Sequence, residues 1–273
     1  MAALLYSLLS LLKRPEQKIR NNKYNLPNPK VPNLEIENKF VHDKAIFVIG
    51  DVHGCYDELC ELMDLARSAE PNKEILFMFV GDIVNKGPKS CEVLTLIRSL
   101  GDSAFSVRGN HEEAVLREII RSDLNQEYVL PHKYQWAVHL SVEDKTFLLE
   151  LPYTISVPSL NFIVVHAGII PGVSLGEQNF EDLVSMRYIT VEDNTYKPSS
   201  FSLQGSSPWA LFWTGPEHVY FGHHAALGLQ LLDFATGLDT GCLYGGELTG
   251  VFANGSRQRL SVKAKTMYRK PDD

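Results

Sequence analysis

The sequence predicts an α/β fold, and three observations carry the prediction. Apolar runs at Ala45 to Ile49 and Ile75 to Val80, and the short stretch Phe105 to Arg108, each end at a glycine: Gly50, Gly81 and Gly109. Between the runs, apolar residues recur at helical spacing, first as Leu59, Leu62, Met63, Leu65 and Ala66, then as Val93, Leu96, Ile97 and Leu100. Each glycine is followed at once by a side chain that can bind a metal, namely Asp51, Asp82 or Asn110. Unbroken apolar runs bounded by turns read as strands buried on both faces, and a β-α-β-α-β order implies right-handed crossovers and a parallel sheet. Ligands bind such sheets outside the carboxyl ends of their strands, which is where these turns fall.

The elements follow in order. The first strand runs into Gly50-Asp51-Val52-His53-Gly54, and a helix lies within Cys55 to Glu70. The central strand runs into Gly81-Asp82-Ile83-Val84-Asn85-Lys86-Gly87-Pro88; Pro88 suits a helix start and Gly101 a helix end. The third strand leads to Gly109-Asn110-His111-Glu112, with a helix over His111 to Arg121. Tyr134 to Val138 reads as helical, and Ser141-Val142-Glu143-Asp144 as a capping box for a helix through Leu149. From Pro152 short strands dominate. Tyr153 to Val157 and Asn161 to Val165 form a hairpin that ends at His166-Ala167-Gly168, and Val219 to Phe221 ends at Gly222-His223. Further strands are expected over Leu229 to Phe234, Gly237 to Thr240, Leu248 to Phe252 and Arg259 to Ala264, with Asn254-Gly255 as a hairpin turn. Gly176 to Ser207 is polar and irregular, as an inserted loop or small cap would be.

Bulk properties narrow the class. A chain of 273 residues can bury a large core, and 44% hydrophobic with 22% charged residues is ordinary for a globular protein. A net charge of -7 argues against a general nucleic-acid coat, so no stable DNA binding is expected. Cys55, Cys60, Cys91 and Cys242 show no CxxC pairing, which favours buried free thiols in a reducing compartment, the cytoplasm. Ala2 to Leu12 is apolar but far short of the roughly 20 residues that span a bilayer, and it lacks the basic start of a signal peptide. With Lys13, Arg14, Lys18, Arg20 and Lys23 behind it, it suits a short helix that rests on a membrane surface, on a partner or on the protein's own body. Asn21 to Asn33 reads as a linker. The expected layout is an N-terminal extension over 1–42, one main domain over 43–268 and a tail over 269–273.

Asp51, His53, Asp82, Asn110, His111, His166 and His223 all stand just past apolar strands. A lone histidine there is commonly a hydrogen-bonded structural residue, but five strand ends with such side chains point to one site. Carboxylate, amide oxygen and imidazole suit divalent Mn, Fe or Zn, and the absence of cysteine weighs against a Cys-type structural zinc site. Asp82, on the central strand, is the natural bridge between two ions roughly 3.5–4 Å apart.

Gly-Asp-Val-His-Gly, Gly-Asp-Ile-Val-Asn-Lys-Gly, Arg108-Gly-Asn-His-Glu112, His-Ala-Gly and Gly-His together resemble the five-motif signature of the calcineurin-like metallophosphoesterases of the phosphoprotein-phosphatase type, from about Ala45 to Ala264. A finer resemblance, to symmetrical diadenosine tetraphosphatases and ApaH-like phosphatases, rests on His166-Ala167-Gly168-Ile169-Ile170-Pro171, on Met186-Arg187, and on Phe221-Gly222-His223 with Leu238-Asp239-Thr240-Gly241-Cys242 and Gly245 to Thr249. The resemblance implies two mixed sheets stacked between helices. It also implies one metal on Asp51, His53 and Asp82, a second on Asp82, Asn110, His166 and His223, and His111 as general acid. Hydrolysis of phosphoanhydrides follows as the expected activity, on dinucleoside polyphosphates or nucleoside-capped RNA 5′ ends. A Ser/Thr phosphoprotein phosphatase, an endopolyphosphatase and a metal-binding scaffold without turnover are the alternatives.

The departures from the pattern are specific. Asn85 stands where protein phosphatases carry an Asp that supports the motif histidine, and it supplies no negative charge. Lys86 stands where the family often has a phosphate-binding Arg, so it binds phosphate as a point charge, with Arg187 as a second cation. His224 replaces a frequent Trp at the expected nucleobase contact. Arg108 is a further candidate phosphate contact, Asp239 is expected to fix a turn, and Trp136, Trp209 and Trp213 are expected to pack in the core.

Overall fold

The computed structural model describes residues 26–271. The expected helix over Ala2 to Leu12 lies outside the described residues. The described chain starts inside the expected linker and is already part of the body. Leu26 is buried, and β1 (Asn33–Glu35) pairs in parallel with residues 154–156. With α1 (Asn38–Val41) following, the folded body begins well before residue 43. Its Asn- and Pro-rich sequence hides this, because a three-residue edge strand is too short to show a period.

The expected core follows. β2 (Ala45–Ile49), β3 (Ile75–Phe79) and β4 (Ala104–Ser106) are parallel, in the register Ile46 to Leu76 and Met78 to Phe105. They are joined by α2 (Tyr56–Ala69) and α3 (Ser90–Ser99). Each crossover helix buries one stripe; Leu65, read as part of the first stripe, faces outward. α4 (Asn110–Leu124) begins on the third motif itself, and residues 132–139 form a 3-10 turn. α5 (Val142–Glu150) starts as expected, with the Asp144 N–H donating to Ser141 Oγ at 3.1 Å. β5 (Thr154–Val157) and β6 (Phe162–Val165) make the hairpin.

The stretch expected to be irregular is structured. It holds α6 (Phe180–Ser185) and a small antiparallel sheet of β7 (Tyr188–Glu192), β8 (Thr195–Ser199) and β9 (Ser207–Pro208). β10 (His218–Phe221) is as expected, but the strand expected over Leu229 to Phe234 reduces to β11 (Gln230–Leu231). β12 (Ala235–Gly237) then ends at Gly237, where a strand through Thr240 was expected, and residues 238–240 turn into the site. β13 (Glu247–Phe252) and β14 (Arg259–Lys263) close the fold as a hairpin.

Two mixed sheets result, in the orders β1-β5-β6-β10-β12-β11 and β14-β13-β2-β3-β4. Strand alternation explains why they stack. Ile46, Val48, Leu76 and Met78 face Ile155, Val157, Val164 and Tyr220 of the other sheet, whereas Phe47, Ile49, Phe77 and Phe79 face the helices. Burying each such side chain contributes roughly 1.5–3 kcal/mol. The insertion packs on the far face of the six-stranded sheet, where Trp209 meets Phe221 at 4.9 Å between ring centroids. Trp209 is thus a core residue, and Trp213 donates its indole N–H to the Glu217 carbonyl.

Candidate active site

β2, β3 and β4 of one sheet and β6 and β10 of the other end at the same edge of the stack. The loops that follow carry Asp51 and His53, Asp82, Asn110 and His111, His166, and His223. All but His166 line a cavity of about 660 Å³; His166 lies beneath them, fully buried. Asp82 is the meeting point. Its Oδ2 lies 3.5 Å from both His53 Nε2 and His166 Nε2. Two groups of donor atoms share this carboxylate, one with His53 and His111 and the other with His166 and His223, each within 4.8 Å. Asn110 Oδ1 lies 2.9 Å from His166 Nε2. Asp51 lines the same cavity and accepts the His223 N–H at 3.1 Å on Oδ2.

The backbone is bent to achieve this. His53, Asp82, Asn85, Lys86 and His223 take φ of 47, 48, 73, 68 and 66°, the left-handed region that costs a residue with a Cβ about 1–2 kcal/mol. Two glycines are needed for close approach. A Cβ on Gly109 would sit 2.2 Å from Asp82 Oδ1, and one on Gly222 would sit 1.9 Å from Asp51 Oδ1. Glu112, which the sequence reading left without a role, holds the central loop: its carboxylate accepts N–H groups from Asp82, Val84 and Gly109 at 2.9, 3.2 and 2.7 Å. The available signal was a Glu at the third position of a helix, where a side chain reaches back to the start.

Burial drives the electrostatics. It pushes Asp82 up to about 7, and it raises Asp51 well above the usual carboxylate range, with Asp239 and Asp82 adding repulsion. It also holds His166 down to about 4 and lowers His53 and His223. Neutral imidazole is the form that binds metal, and each ring is oriented by a backbone carbonyl. His53 Nδ1 faces Val84 O at 3.4 Å, His166 Nδ1 faces Val80 O at 2.9 Å, and His223 Nε2 faces Ser185 O at 3.1 Å. The other nitrogen of His53 and of His166 faces Asp82, and that of His223, Nδ1, lies 3.2 Å from His166 Nε2. Crowded buried carboxylates with neutral imidazoles are the donor set a divalent cation requires, so these residues fit the metals the sequence implies.

Around this centre the cations divide. Lys86 and Arg187 line the cavity. Lys86 Nζ donates to Tyr244 Oη at 3.2 Å. Arg187 donates from Nε and Nη2 to the His223 carbonyl and from Nη1 to Ser200 O, which leaves two of its five N–H groups for a ligand. Arg108 is different from the expectation. It is fully buried, bonded to Leu149 O and to Tyr153 Oη and 3.8 Å from Glu113, so it braces the body behind the site and does not reach the cavity. Asp239 makes the expected turn, accepting the Gly241 N–H at 3.2 Å, and it also lines the cavity. His224 lines it too, 3.3 Å from Tyr188 Oη. Phe201, which nothing in the sequence singled out, stands at the rim with 75% of its surface exposed. Pro271 lines the cavity from the segment expected to be a tail.

A metal-binding hydrolytic centre at the shared edge of two stacked mixed sheets is the class this arrangement defines. The calcineurin-like phosphoesterase profile matches residues 44–233, and the chain belongs to that family, whose members use divalent metals. The symmetrical bis(5′-nucleosyl)-tetraphosphatase of Nitrosospira multiformis is 30% identical over 265 residues, which cover 76% of this chain and 92% of the relative. The asymmetrical bis(5′-nucleosyl)-tetraphosphatase PrpE of Halalkalibacterium halodurans is 29% identical, over 75% of this chain and 88% of its own length. A crystal structure of a candidate diadenosine tetraphosphatase superimposes with a TM-score of 0.72 at 32% identity, covering 86% of this chain and 98% of the other. A protein serine/threonine phosphatase from Saccharomyces cerevisiae, with a TM-score of 0.51 at 17% identity over 99% of this chain and 90% of its own, shares the fold alone.

Proposed function

We propose that this chain hydrolyses phosphoanhydride bonds in dinucleoside polyphosphates or in nucleoside-capped RNA 5′ ends. The observation that carries the reading is the placement of Asp82 Oδ2, 3.5 Å from an imidazole on either side. Asp51, His53 and Asp82 would hold one divalent cation, and Asp82, Asn110, His166 and His223 a second; the nitrogen and oxygen donors suit Mn, Fe or Zn. When bound, such a pair supplies Lewis-acid charge at phosphorus and makes water acidic enough to act as nucleophile near neutral pH.

The chain's own residues do the rest. The two free N–H groups of Arg187 and the ammonium of Lys86 bind phosphate oxygens and offset the charge that builds on them. Trp136 Nε1, a donor only, bonds Asn85 Oδ1 at 3.4 Å, so the amide turns its NH₂ to His111 Nδ1 at 2.9 Å. A His111 ring that accepts on Nδ1 carries its proton on Nε2, where it can pass to the departing phosphate oxygen. The exposed ring of Phe201 and the phenol of Tyr188 offer a nucleobase a stacking face beside His224. The cysteines of the described residues are free thiols, which supports the cytoplasm as the compartment.

The test is product analysis with Mn²⁺ and diadenosine tetraphosphate, then with a phosphopeptide. ADP as the only nucleotide product is the expected result and marks symmetric cleavage. AMP with ATP would retain the substrate and reverse the cleavage site. Phosphate released from the peptide alone would overturn the substrate.

A further inference from the structure

Behind the active-site loops, on the helix side of the central sheet, lies a second cluster of metal-competent donors. Cys55 Sγ, Cys242 Sγ and a carboxylate oxygen of Glu58 are within 4.8 Å of one another, and the three residues are 0%, 2% and 0% exposed. Local structure explains the meeting. Cys55 and Glu58 are three apart at the start of α2 and share a face, while the 3-10 turn over 242–244 brings Cys242 onto it. An independent observation concerns Glu58. Its Oε1 is satisfied by Lys265 N–H at 2.9 Å and Tyr268 O–H at 2.8 Å, but Oε2 is buried with no hydrogen-bond partner among the described residues. An orphaned carboxylate oxygen costs about 1–3 kcal/mol or more, and native proteins seldom leave one unexplained.

We propose that Cys55, Glu58 and Cys242 form a structural site for a thiophilic divalent cation, zinc in class, separate from the catalytic centre. Two thiolates with one carboxylate are zinc donors, whereas Mg²⁺ and Mn²⁺ prefer oxygen. Binding releases the two thiol protons to solvent, the divalent cation offsets two of the three negative charges on the sulfurs and Glu58, and the N–H of Lys265 and the O–H of Tyr268 stay on the carboxylate that carries the third. Tyr268 and the Lys265 N–H hold the other oxygen of that carboxylate, which leaves Oε2 for the ion. The consequence is mechanical: the ion ties the loop of His53 to the turn of Asp239 from behind, and it holds the chain segment 265–268 against both. The catalytic centre contains no sulfur, so the two sites are spectroscopically distinct.

The experiment loads the chelator-stripped, reduced full chain with Co²⁺ and reads the near-ultraviolet absorption that arises only from thiolate-to-cobalt charge transfer. The expected result is one thiolate-bound cobalt per chain in the wild type and in Asp82→Asn. In Cys55→Ser and Cys242→Ser the band should be lost, and in Glu58→Gln it should persist with at least tenfold weaker affinity. Circular dichroism of Glu58→Gln separates a lost site from a lost fold. A wild-type chain without the band in excess Co²⁺, or with a band that survives both cysteine variants, would overturn the proposal.

Discussion

Asn85 Nδ2 lies 2.9 Å from His111 Nδ1, and this contact decides which imidazole nitrogen carries the proton. Burial, with His53 next, holds His111 well below the usual histidine range, so the ring is neutral at working pH. The amide places the remaining proton on Nε2 without any need for a charged ring.

His111→Ala is therefore expected to lower kcat by about 10²- to 10⁴-fold, the usual contribution of a general acid, with little change in KM. Asn85→Asp should do something different. The new carboxylate accepts a hydrogen bond from Nδ1–H, which fixes the proton there and raises the histidine pKa, so Nε2 carries a proton only in the cationic ring. A pH series of kcat should show a descending alkaline limb in the variant that the wild type lacks.

Arg187→Lys keeps the charge and loses the fork. The loss of one charge-assisted hydrogen bond, about 1.5 kcal/mol, corresponds to a rise in KM of roughly tenfold. Steady-state kinetics with a dinucleoside polyphosphate reads it directly, and an unchanged KM would remove Arg187 from the substrate contacts.

Gly109→Ala should leave the fold intact and disable the site, because its methyl carbon would fall 2.2 Å from Asp82 Oδ1. Unchanged far-ultraviolet circular dichroism with loss of activity is the expected outcome.

The helix cap of α5 gives a prediction remote from the site. Burial alone would raise the Asp144 pKa, but bonds from Ser141 and the Arg98 guanidinium, at 2.6 Å, outweigh it and hold the carboxyl below its ordinary range. A depressed folded-state pKa means stability that is fully present above about 3.9, the unfolded value, and is lost as pH falls through the folded value. Ser141→Ala should cost about 1 kcal/mol. Asp144→Asn should destabilise at pH 7, and its difference from wild type should shrink below pH 4 in denaturant titrations.

Much of the candidate centre was legible because its proposed ligands follow strands long and apolar enough to be read. Asp51, Asp82, Asn110, His166 and His223 each stand where a recognisable strand stops, and parallel pairing forces such ends to one edge. What escaped notice lacks periodicity. β8, Thr195–Ser199, is a polar strand with Lys197 and Pro198 in it, and β1 is three residues long, so neither alternates visibly. Arg108 looked like a phosphate ligand because nothing local says that its guanidinium turns inward to Leu149 O and Tyr153. Glu112 and the pairing of Trp136 with Asn85 depend on contacts between distant segments. The left-handed φ values of His53, Asp82 and His223 leave no trace in residue type.

Whether Asp82 bridges two cations is read by electron paramagnetic resonance of the Mn²⁺-reconstituted protein. The expected signal is that of an exchange-coupled manganese pair, which grows in step with hydrolysis of diadenosine tetraphosphate and collapses in Asp82→Asn. Full activity accompanied only by the spectrum of isolated single ions would contradict it.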